Sequence, residues 1–455
     1  MNAEKKTDAA RMEKIVSLCK RRGFIFQSSE IYGGLNGVWD FGPLGTELKR
    51  NLKDYWWRTM VHEREDVVGL DGAIITHRAA LKASGHEDTF SDPMVDCRTC
   101  KARLRADQIP EKNGVKQCPN CGGKDLTEPR AFNLMLRTHL GATEDESSIA
   151  YLRPETAQSI FVQFRNVLDT SRKKLPFGIA QIGKAFRNEI NPRNFIFRSR
   201  EFEQMELEYF CAPEQGMRLL DYWLEERLKF YDNIGIPRAK LHVLTVPDAD
   251  RAFYSKGTYD IEYEFPFGVQ ELEGVAYRTD YDLTQHQNAS GKPLDYFDEE
   301  TKQRFIPHVI EPSAGVDRTL LALICEAFDE ETVTDEKGKA ETRTVLRFHP
   351  RMAPIKVGVF PLLKNKPELV AKAREVHALL KPHMMVFYDE AGAIGRRYRR
   401  QDEAGTPFGL TIDFETLGER GDELRDTVTL RHRDSMKQER VKISELLGII
   451  LPLVR

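Results

Sequence analysis

The sequence of 455 residues carries little net charge of either sign, since 68 basic and 71 acidic residues leave a formal net charge of −3 at pH 7. A nucleic-acid partner would therefore have to be bound by a local basic patch, through salt-sensitive contacts. Apolar runs long enough to span a membrane are missing, and the N-terminal stretch MNAEKKTDAARMEK has no apolar signal segment. We expect a cytoplasmic protein with no membrane partner.

Cysteine is also scarce, and its spacing indicates a metal site rather than a disulfide framework. Four of the seven cysteines form two C-x-x-C pairs, Cys97–Cys100 and Cys118–Cys121. Four thiolates at this spacing suit tetrahedral Zn²⁺ and leave no open ligand position, so the zinc would be structural. The alternatives are a disulfide pair or an insert that has lost its metal, and a reducing compartment disfavours the first.

The length and the 40% hydrophobic composition allow two or three globular domains. From about residue 351 strands and helices alternate to residue 455, which predicts a small α/β domain. Residues 329–350 are charged around a Lys337–Gly338 turn and predict a hairpin or connector. Within the last domain, GRRYRRQDEAG predicts a helix whose cationic face either binds RNA or is only solvated. That face is formed by Arg396, Arg397, Arg399 and Arg400.

The segment from Gln181 to Phe210 reads as two strands joined by a polar loop, and alternation sets the facing of its side chains. On the second strand Glu203, Met205, Leu207 and Tyr209 predict a core face. The opposite face carries Phe202, Gln204, Glu206, Glu208 and Phe210. On the first strand Arg187 and Glu189 share a face with Gln181. Such a face could bind phosphate through Arg187, a base through Phe202 and a cation through Glu206. The alternative is a solvated face with fortuitous ion pairs.

Four further segments predict secondary structure, and three of them carry charged residues that could belong to a site. A helix over about Leu44–His62 has an apolar side of either core or interface residues. In Tyr151–Gln158 a helix start is predicted, with Glu155 as a first-turn carboxylate. The strand Val269–Arg278 would place Glu271 and Glu273 on one face, and the following YRTDYDLTQHQNASG reads as a polar connection. Residues 305–318 predict strand, tight turn and helix. Arg318 in the first helical turn is unfavourable for the dipole and so indicates a phosphate site.

These segments resemble a known family. FRNE (186–189) followed by RSREF (198–202) is similar to the second signature motif of class II aminoacyl-tRNA synthetases. GVWDFGPLGTELKRNL resembles their first motif, and GVDR (315–318) their third. FEQME and EPSAG resemble the glycine-specific members, and RPETAQ resembles the members for glycine, proline and threonine. The resemblance implies an α+β fold: a catalytic domain on an antiparallel sheet (1–350), a zinc-knuckle insert (95–125) and a C-terminal α/β anticodon-binding domain (351–455). It also implies a homodimer built on the first motif.

The resemblance assigns the site residue by residue. Catalytic roles fall on Arg187, Arg318 and Glu271, and Glu271 is also the implied Mg²⁺ ligand. The implied ATP-binding residues are Arg187, Asn188, Glu189, Phe197, Arg198, Ser199, Arg200, Glu201, Phe202, Glu271, Leu272, Gly315, Val316, Asp317 and Arg318. The implied glycine-binding residues are Arg105, Glu155, Phe202, Glu203, Gln204, Met205, Glu206, Glu311, Pro312, Ser313, Ala314 and Gly315. The implied zinc ligands are Cys97, Cys100, Cys118 and Cys121.

The activity that this resemblance implies is ATP-dependent ligation of glycine to tRNA(Gly) through a glycyl-adenylate. Steric overlap lets a glycine pocket reject every larger amino acid, so we expect no editing domain. A synthetase for proline, threonine or histidine is one alternative, which the pocket carboxylates disfavour. A non-catalytic paralogue is the other, and the presence of Arg187, Glu189, Glu271 and Arg318 disfavours it.

Overall fold

The structure, a computed structural model, describes residues 2–112, 114–252, 254–334 and 340–455. In these ranges no helix has both the length and the apolar composition to cross a membrane. The helices are α1 (Asn2–Arg22), α2 (Pro43–Trp57), α3 (Arg78–Ala83), α4 (His86–Thr89), α5 (Ala157–Ser171), α6 (Gly216–Asn233), α7 (Tyr281–Ser290), α8 (Val316–Ala327), α9 (Pro367–Leu380), α10 (Ile394–Ala404) and α11 (Leu446–Val454).

The strands are short except around the central sheet. They are β1 (Ile25–Gln27), β2 (Trp39–Phe41), β3 (Val67–Gly69), β4 (Ile75–His77), β5 (Ser91–Asp96), β6 (Arg103–Arg105), β7 (Glu111–Lys112), β8 (Val115–Lys116), β9 (Arg130–Asn133), β10 (Leu136–His139), β11 (Ile149–Leu152), β12 (Phe177–Phe186), β13 (Glu201–Cys211), β14 (Leu241–Thr245), β15 (Gly257–Phe265), β16 (Gly268–Thr279), β17 (Tyr296–Phe297), β18 (Arg304–Phe305), β19 (His308–Gly315), β20 (Phe328–Thr334), β21 (Ala340–Leu346), β22 (Val357–Pro361), β23 (Val386–Tyr388), β24 (Phe408–Ile412), β25 (Thr427–His432) and β26 (Gln438–Lys442).

A seven-stranded sheet of order β14-β15-β16-β19-β13-β12-β3 organises the first part of the chain. All neighbours in it are antiparallel except β12 and β3, which run parallel. Strand β13, an inner strand of this sheet, is buried on both faces. Met205, Leu207 and Tyr209 lie in the largest core cluster, as alternation predicts. Phe210 on the other face packs against the helix α5 ring of Phe164, 4.5 Å between centroids. The even face is therefore covered, and the solvated alternative is wrong.

Three local predictions are wrong. Strand β12 ends at Phe186, so Arg187 and Glu189 lie in the loop that follows it rather than on its face. Strand β19 includes the whole of EPSAG and runs directly into α8, with Gly315 as the N-cap, so no separate turn intervenes. The polar connection after β16 contains the helix α7.

Helix α2 begins with Pro43 at its first position, where a missing N–H costs nothing. It ends at Trp57, earlier than predicted, because the backbone widens into a π-helical turn over Arg58–His62. Its buried side faces the main core through Leu48, Leu52 and Trp56. Periodicity left core and interface open for this helix, and the structure places its apolar side in the core.

The cysteine pairs lie beside a separate small sheet of order β6-β5-β9, one pair between β5 and β6 and the other between β8 and β9. This unit has its own core cluster, which includes Val95, Leu104 and Ile109. The residues that form the sheet run from Ser91 to Asn133 and so extend beyond the predicted limits of 95–125 at both ends.

The last part of the chain forms a mixed sheet of order β23-β22-β24-β25-β26 with α9, α10 and α11, as the alternation of strands and helices predicts. Strand β22 runs parallel to β23 and β24, and the other pairs are antiparallel. The hairpin β20–β21 joins this unit to the rest through Arg343, which donates to Asp402 at 3.0 Å. The predicted Lys337–Gly338 turn lies outside the described residues.

Candidate active site

A cavity of about 170 Å³ opens where the loop after β12, the start of β13 and the N-terminus of α8 meet. Eleven of the residues that the resemblance assigns to ATP line it: Arg187, Glu189, Phe197, Arg198, Ser199, Phe202, Glu271, Leu272, Gly315, Asp317 and Arg318. Glu203, Gln204 and Ser313, assigned to glycine, also line it. The two sets of residues thus adjoin in one cavity.

Two arginines from different elements face this cavity. The Arg187 guanidinium lies 5.3 Å from the ring centroids of both Phe90 and Phe202, and its Nε donates to the Pro154 carbonyl at 3.1 Å. Arg318 lies over Phe197 at 4.5 Å and reaches the Glu271 carboxylate at 3.3 Å. Aromatic packing holds each fork in place while leaving N–H groups for a ligand. Two such forks around one cavity suit a polyphosphate.

The structure keeps four of the predicted ATP residues away from the cavity lining. The Asn188 backbone N–H donates to Leu134 O at 2.7 Å. Arg200 donates to the backbone carbonyls of Glu189 and Asn36, so it holds the loop rather than a ligand. Glu201 pairs with Lys184, and Val316 is buried in the core.

Next to the cavity lies a cluster of buried carboxyl groups centred on Glu206. Its Oε2 accepts from the backbone N–H of Thr156 at 3.0 Å and from the Thr156 hydroxyl. Its Oε1 accepts from Gln204 at 2.8 Å and from Ser313 at 2.7 Å. Burial, together with the neighbouring Glu155, raises the pKa of Glu206. These bonds bring β13, β19 and the start of α5 together at one point.

Arg278 supplies the main positive charge of this cluster. It is the bulged residue of β16, where pairing with β19 shifts register between Tyr277 and Thr279. Its Nη1 donates to both oxygens of Glu311 at 2.9 Å, and its Nε and Nη2 donate to Asp282 at 2.8 and 2.9 Å. Burial outweighs this pairing and raises the pKa of Glu311 to about 8.

The pKa of Glu155 is shifted in the opposite direction from the pKa values of Glu206 and Glu311. It precedes α5 rather than occupying its first turn, and it lies 3.3 Å from His86 and 2.9 Å from Gln158. Burial opposes its charged form, but the His86 ring and Arg278 outweigh burial, and the pKa of Glu155 is lowered. The cluster therefore holds ionised and protonated carboxyl groups side by side, as expected where an amino group is bound.

Five of the predicted glycine-binding side chains do not point into this cluster. Glu203 pairs with Lys49 at 2.5 Å and with Lys53 at 2.8 Å, on the core side of β13. Met205 and Ala314 are in the main core cluster, and alternation along β19 turns Pro312 to that side as well. Arg105 pairs with Asp92 at 2.7 Å and Asp107 at 2.8 Å. The motifs FEQME and EPSAG are contiguous in the sequence, but along a strand only every second residue faces the carboxyl cluster.

The prediction that Glu271 and Glu273 share a face is wrong. A register shift in the pairing of β15 with β16 falls between them, so that Ile261 opposes Glu273 and Glu262 opposes Glu271. Glu273 is 1% exposed and accepts from Arg227 and from the Tyr231 hydroxyl, both at 2.6 Å. Glu271 is half exposed and stays at the cavity with Arg318.

Sequence reasoning missed several groups of the site, chiefly those that hold the carboxylates. His86, Thr156 and Arg278 come from three different parts of the chain. The helix α7 was missed as well, although the sequence contained a signal for it: Asp282 and His286 are four residues apart and share a buried face of that helix. That pattern would have indicated a helix facing a polar site rather than a connection.

The four cysteines of the small sheet have the geometry of a metal site. Their sulfur atoms lie within 4.8 Å of one another, with 3.7 Å between Cys97 and Cys121 and 3.6 Å between Cys100 and Cys118. A tetrahedral Zn²⁺ with Zn–S bonds of about 2.3 Å separates its sulfurs by about 3.8 Å. The residues present therefore fit zinc.

The predicted cationic face of α10 is largely used within the protein. Arg397 is 2% exposed and donates to Gly392 O at 2.8 Å. Arg400 pairs with Asp389, and Arg399 also has partners of its own. Arg396 is exposed. A structural role therefore accounts for Arg397 and Arg400 better than either RNA binding or simple solvation.

Comparison with known proteins agrees with this geometry. Residues 142–327 match the family described as tRNA synthetase class II core domain (G, H, P, S and T), and residues 356–452 match an anticodon binding domain. The chain is 53% identical over 441 residues to a glycine–tRNA ligase of Treponema denticola, and 52% identical over 451 residues to one of Thermobifida fusca, with 96% of both chains covered in each case. It is 49% identical over 502 residues to one of Thermus thermophilus, covering 97% of this chain and 98% of that protein.

The sheet, the arginine-lined cavity and the two domain matches define a class II tRNA synthetase with an anticodon-binding domain. Identity near 50% over almost the full length goes further: the chain belongs to the glycine–tRNA ligase family. It is accordingly an enzyme, and the reaction of this family is the ATP-dependent ligation of glycine to tRNA.

Proposed function

We propose that this chain forms glycyl-adenylate in the cavity between Arg187 and Arg318 and then transfers glycine to tRNA(Gly). The observation that supports this site most directly is that groups of opposite charge adjoin at one cavity. Arginines from separate elements line the cavity, and two of its other lining residues, Gln204 and Ser313, donate hydrogen bonds to Glu206 of the buried carboxyl cluster. An α-amino acid placed across that border has its ammonium among carboxylates and its carboxylate toward the α-phosphate of ATP.

In this arrangement no side chain acts as a nucleophile. The glycine carboxylate attacks the α-phosphorus, the bond to the bridging oxygen of the β-phosphate breaks, and pyrophosphate leaves. Arg187 stabilises charge on the α-phosphate and Arg318 stabilises the departing phosphates, so that catalysis comes from positioning and electrostatics. The tRNA 3′ hydroxyl then attacks the glycyl carbonyl and AMP leaves. Glu155 and Glu206, supported by Glu311, orient the amino group.

Magnesium fits beside Glu271, whose carboxylate is half exposed at the cavity. Burial first, and then the negative charges of Glu271 and Glu262, raise the pKa of the nearby Asp260 to about 6. When bound with ATP, Mg²⁺ would supply charge neutralisation on the phosphates. Glu271 would hold it, and Arg318 would then be released from its pairing with that carboxylate to contact phosphate.

The experiment that tests this function is ATP–pyrophosphate exchange without tRNA, scanned over all twenty amino acids. We expect exchange with glycine and background rates with the other nineteen, because a pocket shaped for glycine rejects every larger amino acid by steric overlap. Exchange with a different amino acid would keep the chemistry and overturn the specificity. Absence of exchange with every amino acid, in protein that binds ATP, would favour the non-catalytic paralogue.

We also propose a structural zinc-knuckle insert bound by Cys97, Cys100, Cys118 and Cys121. Purified protein should contain about one zinc per chain, and Cys100→Ser should abolish it. Hydrogen exchange of backbone amides between Ser91 and Asn133 should accelerate in that variant, because the small sheet has little core of its own. Cys211→Ala, which removes a buried cysteine of the central sheet, is the control and should retain the metal. Full zinc loading of Cys100→Ser would contradict the assignment.

The remaining proposals concern organisation. The homodimer is supported by the loop between β1 and β2, where Ile31 and Tyr32 are 89% and 87% exposed. The same loop accepts a hydrogen bond from Arg200 through Asn36 O, which connects it to the ATP loop. We infer that a second copy of the chain covers this loop. In sedimentation, Tyr32→Asp should behave as a monomer and the unmodified protein as a dimer, and a dimeric variant would contradict the inference.

We assign residues 1–350 to the catalytic domain and 351–455 to the domain that binds the anticodon of tRNA(Gly).

A further inference from the structure

One carboxyl group on the site face of β13 is assigned by none of the sequence motifs. Glu208 is 0% exposed, and neither of its oxygens has a hydrogen-bond partner among the described residues. Buried polar atoms are almost always paired, with protein or with a bound group. A carboxyl group with two unpartnered oxygens inside a protein therefore indicates a ligand.

The position of Glu208 places it at the inner end of the glycine site. It follows Glu206 by two residues on the same face, a step of about 7 Å along the strand. The pairing of β13 with β19 runs from Glu206–Ser313 to Tyr209–Ile310, so Glu208 and Glu311 lie side by side between these pairs. Beyond Glu208 the surface becomes apolar, since Phe210 packs on α5.

The other carboxylates of the cluster already have partners. Glu206 accepts four hydrogen bonds from protein groups. Both oxygens of Glu311 accept from Arg278, and Glu155 contacts Gln158 and His86. Glu208 is the member of the cluster whose acceptor capacity is entirely unused within the described part of the chain.

The charges around Glu208 decide its state in the free protein. The groups that face it are Glu206 on its own strand, Glu311 on β19, Arg278 on β16 and Asp282 on α7. With Glu208 itself, four acids against one base cannot all be ionised in a buried site. Burial first, and then Glu311, raise the pKa of Glu208 well above its ordinary value, so it holds a proton when the site is empty.

We propose that Glu208 is a further glycine-binding group, and that the ammonium of glycine replaces the proton which the empty site keeps on this carboxyl. On binding, the O–H bond of Glu208 breaks and the proton leaves to solvent. The carboxylate then accepts N–H bonds from the ammonium, which keeps its charge. The exchange of one cation for another leaves the net charge of the buried cluster unchanged. This inference rests on the proposed function, because it takes glycine as the ligand.

The test is calorimetric titration of the full-length, zinc-loaded protein with glycine, in two buffers of different ionisation enthalpy at one pH. We expect release of about one proton per glycine bound. In Glu208→Gln the amide keeps the shape but has no acidic proton, so release should fall to near zero. Glycine affinity should weaken by about tenfold or more, with unchanged ATP affinity. Glu326→Gln, which neutralises a half-buried carboxyl on α8 that pairs with Tyr263, is the matched control and should behave as the unmodified protein.

Each other outcome has a definite meaning. Proton release that persists in Glu208→Gln would come from Glu206 or Glu311 and would overturn the proposal. If that variant fails to fold, Glu208→Asp decides: a shorter acid should still release a proton but bind glycine more weakly, and unchanged affinity would overturn the proposal. Glycine binding to the unmodified protein without proton release overturns it too, and leaves the proposed function standing. Failure of glycine-dependent exchange in the unmodified protein would instead refute the function itself.

Discussion

Replacing Arg187 by alanine should lower kcat/KM for glycine-dependent ATP–pyrophosphate exchange by about 10²- to 10³-fold. The reason is that Arg187 is a guanidinium at the cavity held ready between two rings, Phe90 and Phe202. A preorganised donor aimed at developing charge contributes about this much to a rate. Arg187→Lys should recover little, because an ammonium cannot reproduce the planar fork or its packing between the rings. Initial rates at several glycine and ATP concentrations measure the effect.

The control for this experiment is Arg165→Ala, which removes an exposed arginine of α5 paired with Asp169 at 3.1 Å. Its exchange rate should stay within about twofold of the unmodified protein, because surface ion pairs contribute little. Thermal unfolding should distinguish lost catalysis from lost folding, since the Arg187 side chain makes one hydrogen bond within the described part of the chain, to the Pro154 carbonyl. Exchange that continues at an unchanged rate in Arg187→Ala would refute the proposed mechanism.

Replacing Arg278 by methionine should lower the free energy of unfolding by about 3–5 kcal/mol at pH 7 and abolish glycine-dependent exchange. Arg278 is 3% exposed and pairs with both Glu311 and Asp282, so its loss leaves two buried carboxyl groups without their cation. Breaking a buried pair from one side costs about this much. Urea unfolding followed by tryptophan fluorescence measures the stability.

The pH dependence of this loss has a definite sign. In the folded protein the pKa of Glu311 is raised to about 8, above its unfolded value, so its contribution to stability is present at low pH and is lost as pH rises toward 8. Without Arg278 the charged form is still less favourable. The deficit of Arg278→Met should therefore shrink at pH 5 and grow at pH 8. Arg238→Met, which breaks an exposed pair with Glu225, should show a small deficit at both pH values. Equal deficits at pH 5 and pH 8 would contradict this account of the cluster.

The sequence predicted the phosphate side of the site better than the amino-acid side. Phe202 and Arg318 follow from local patterns, namely a strand and a helix start, and both line the cavity. Arg187 lines it too, although it lies in the loop after β12 and not on the predicted strand face. The glycine residues came as contiguous motifs, and a contiguous stretch of strand presents its side chains to two faces in turn. Glu206 and Ser313 therefore reach the site, while Met205 and Ala314 lie in the core behind it.

The carboxylate cluster depended on irregularities that no periodic pattern indicates. A bulge in β16 turns Arg278 toward Glu311, and another register shift separates Glu271 from Glu273. Bulges alter facing by one residue, and their position depends on the partner strand rather than on the strand that contains them. The helix α7, which brings Asp282 to the site, was missed because its buried side is polar.

What the sequence determined by itself is the set of reactive groups and their local order: two C-x-x-C pairs, the alternation that puts Glu206 and Glu208 on one face, and an arginine in the first turn of α8. These depend on neighbours a few residues apart, where backbone geometry leaves few choices. The tertiary structure alone decided which groups meet, as in the bonds from Thr156 to Glu206 and from Arg278 to Glu311. Such contacts join distant segments, and strand register and long-range packing set them rather than any local pattern.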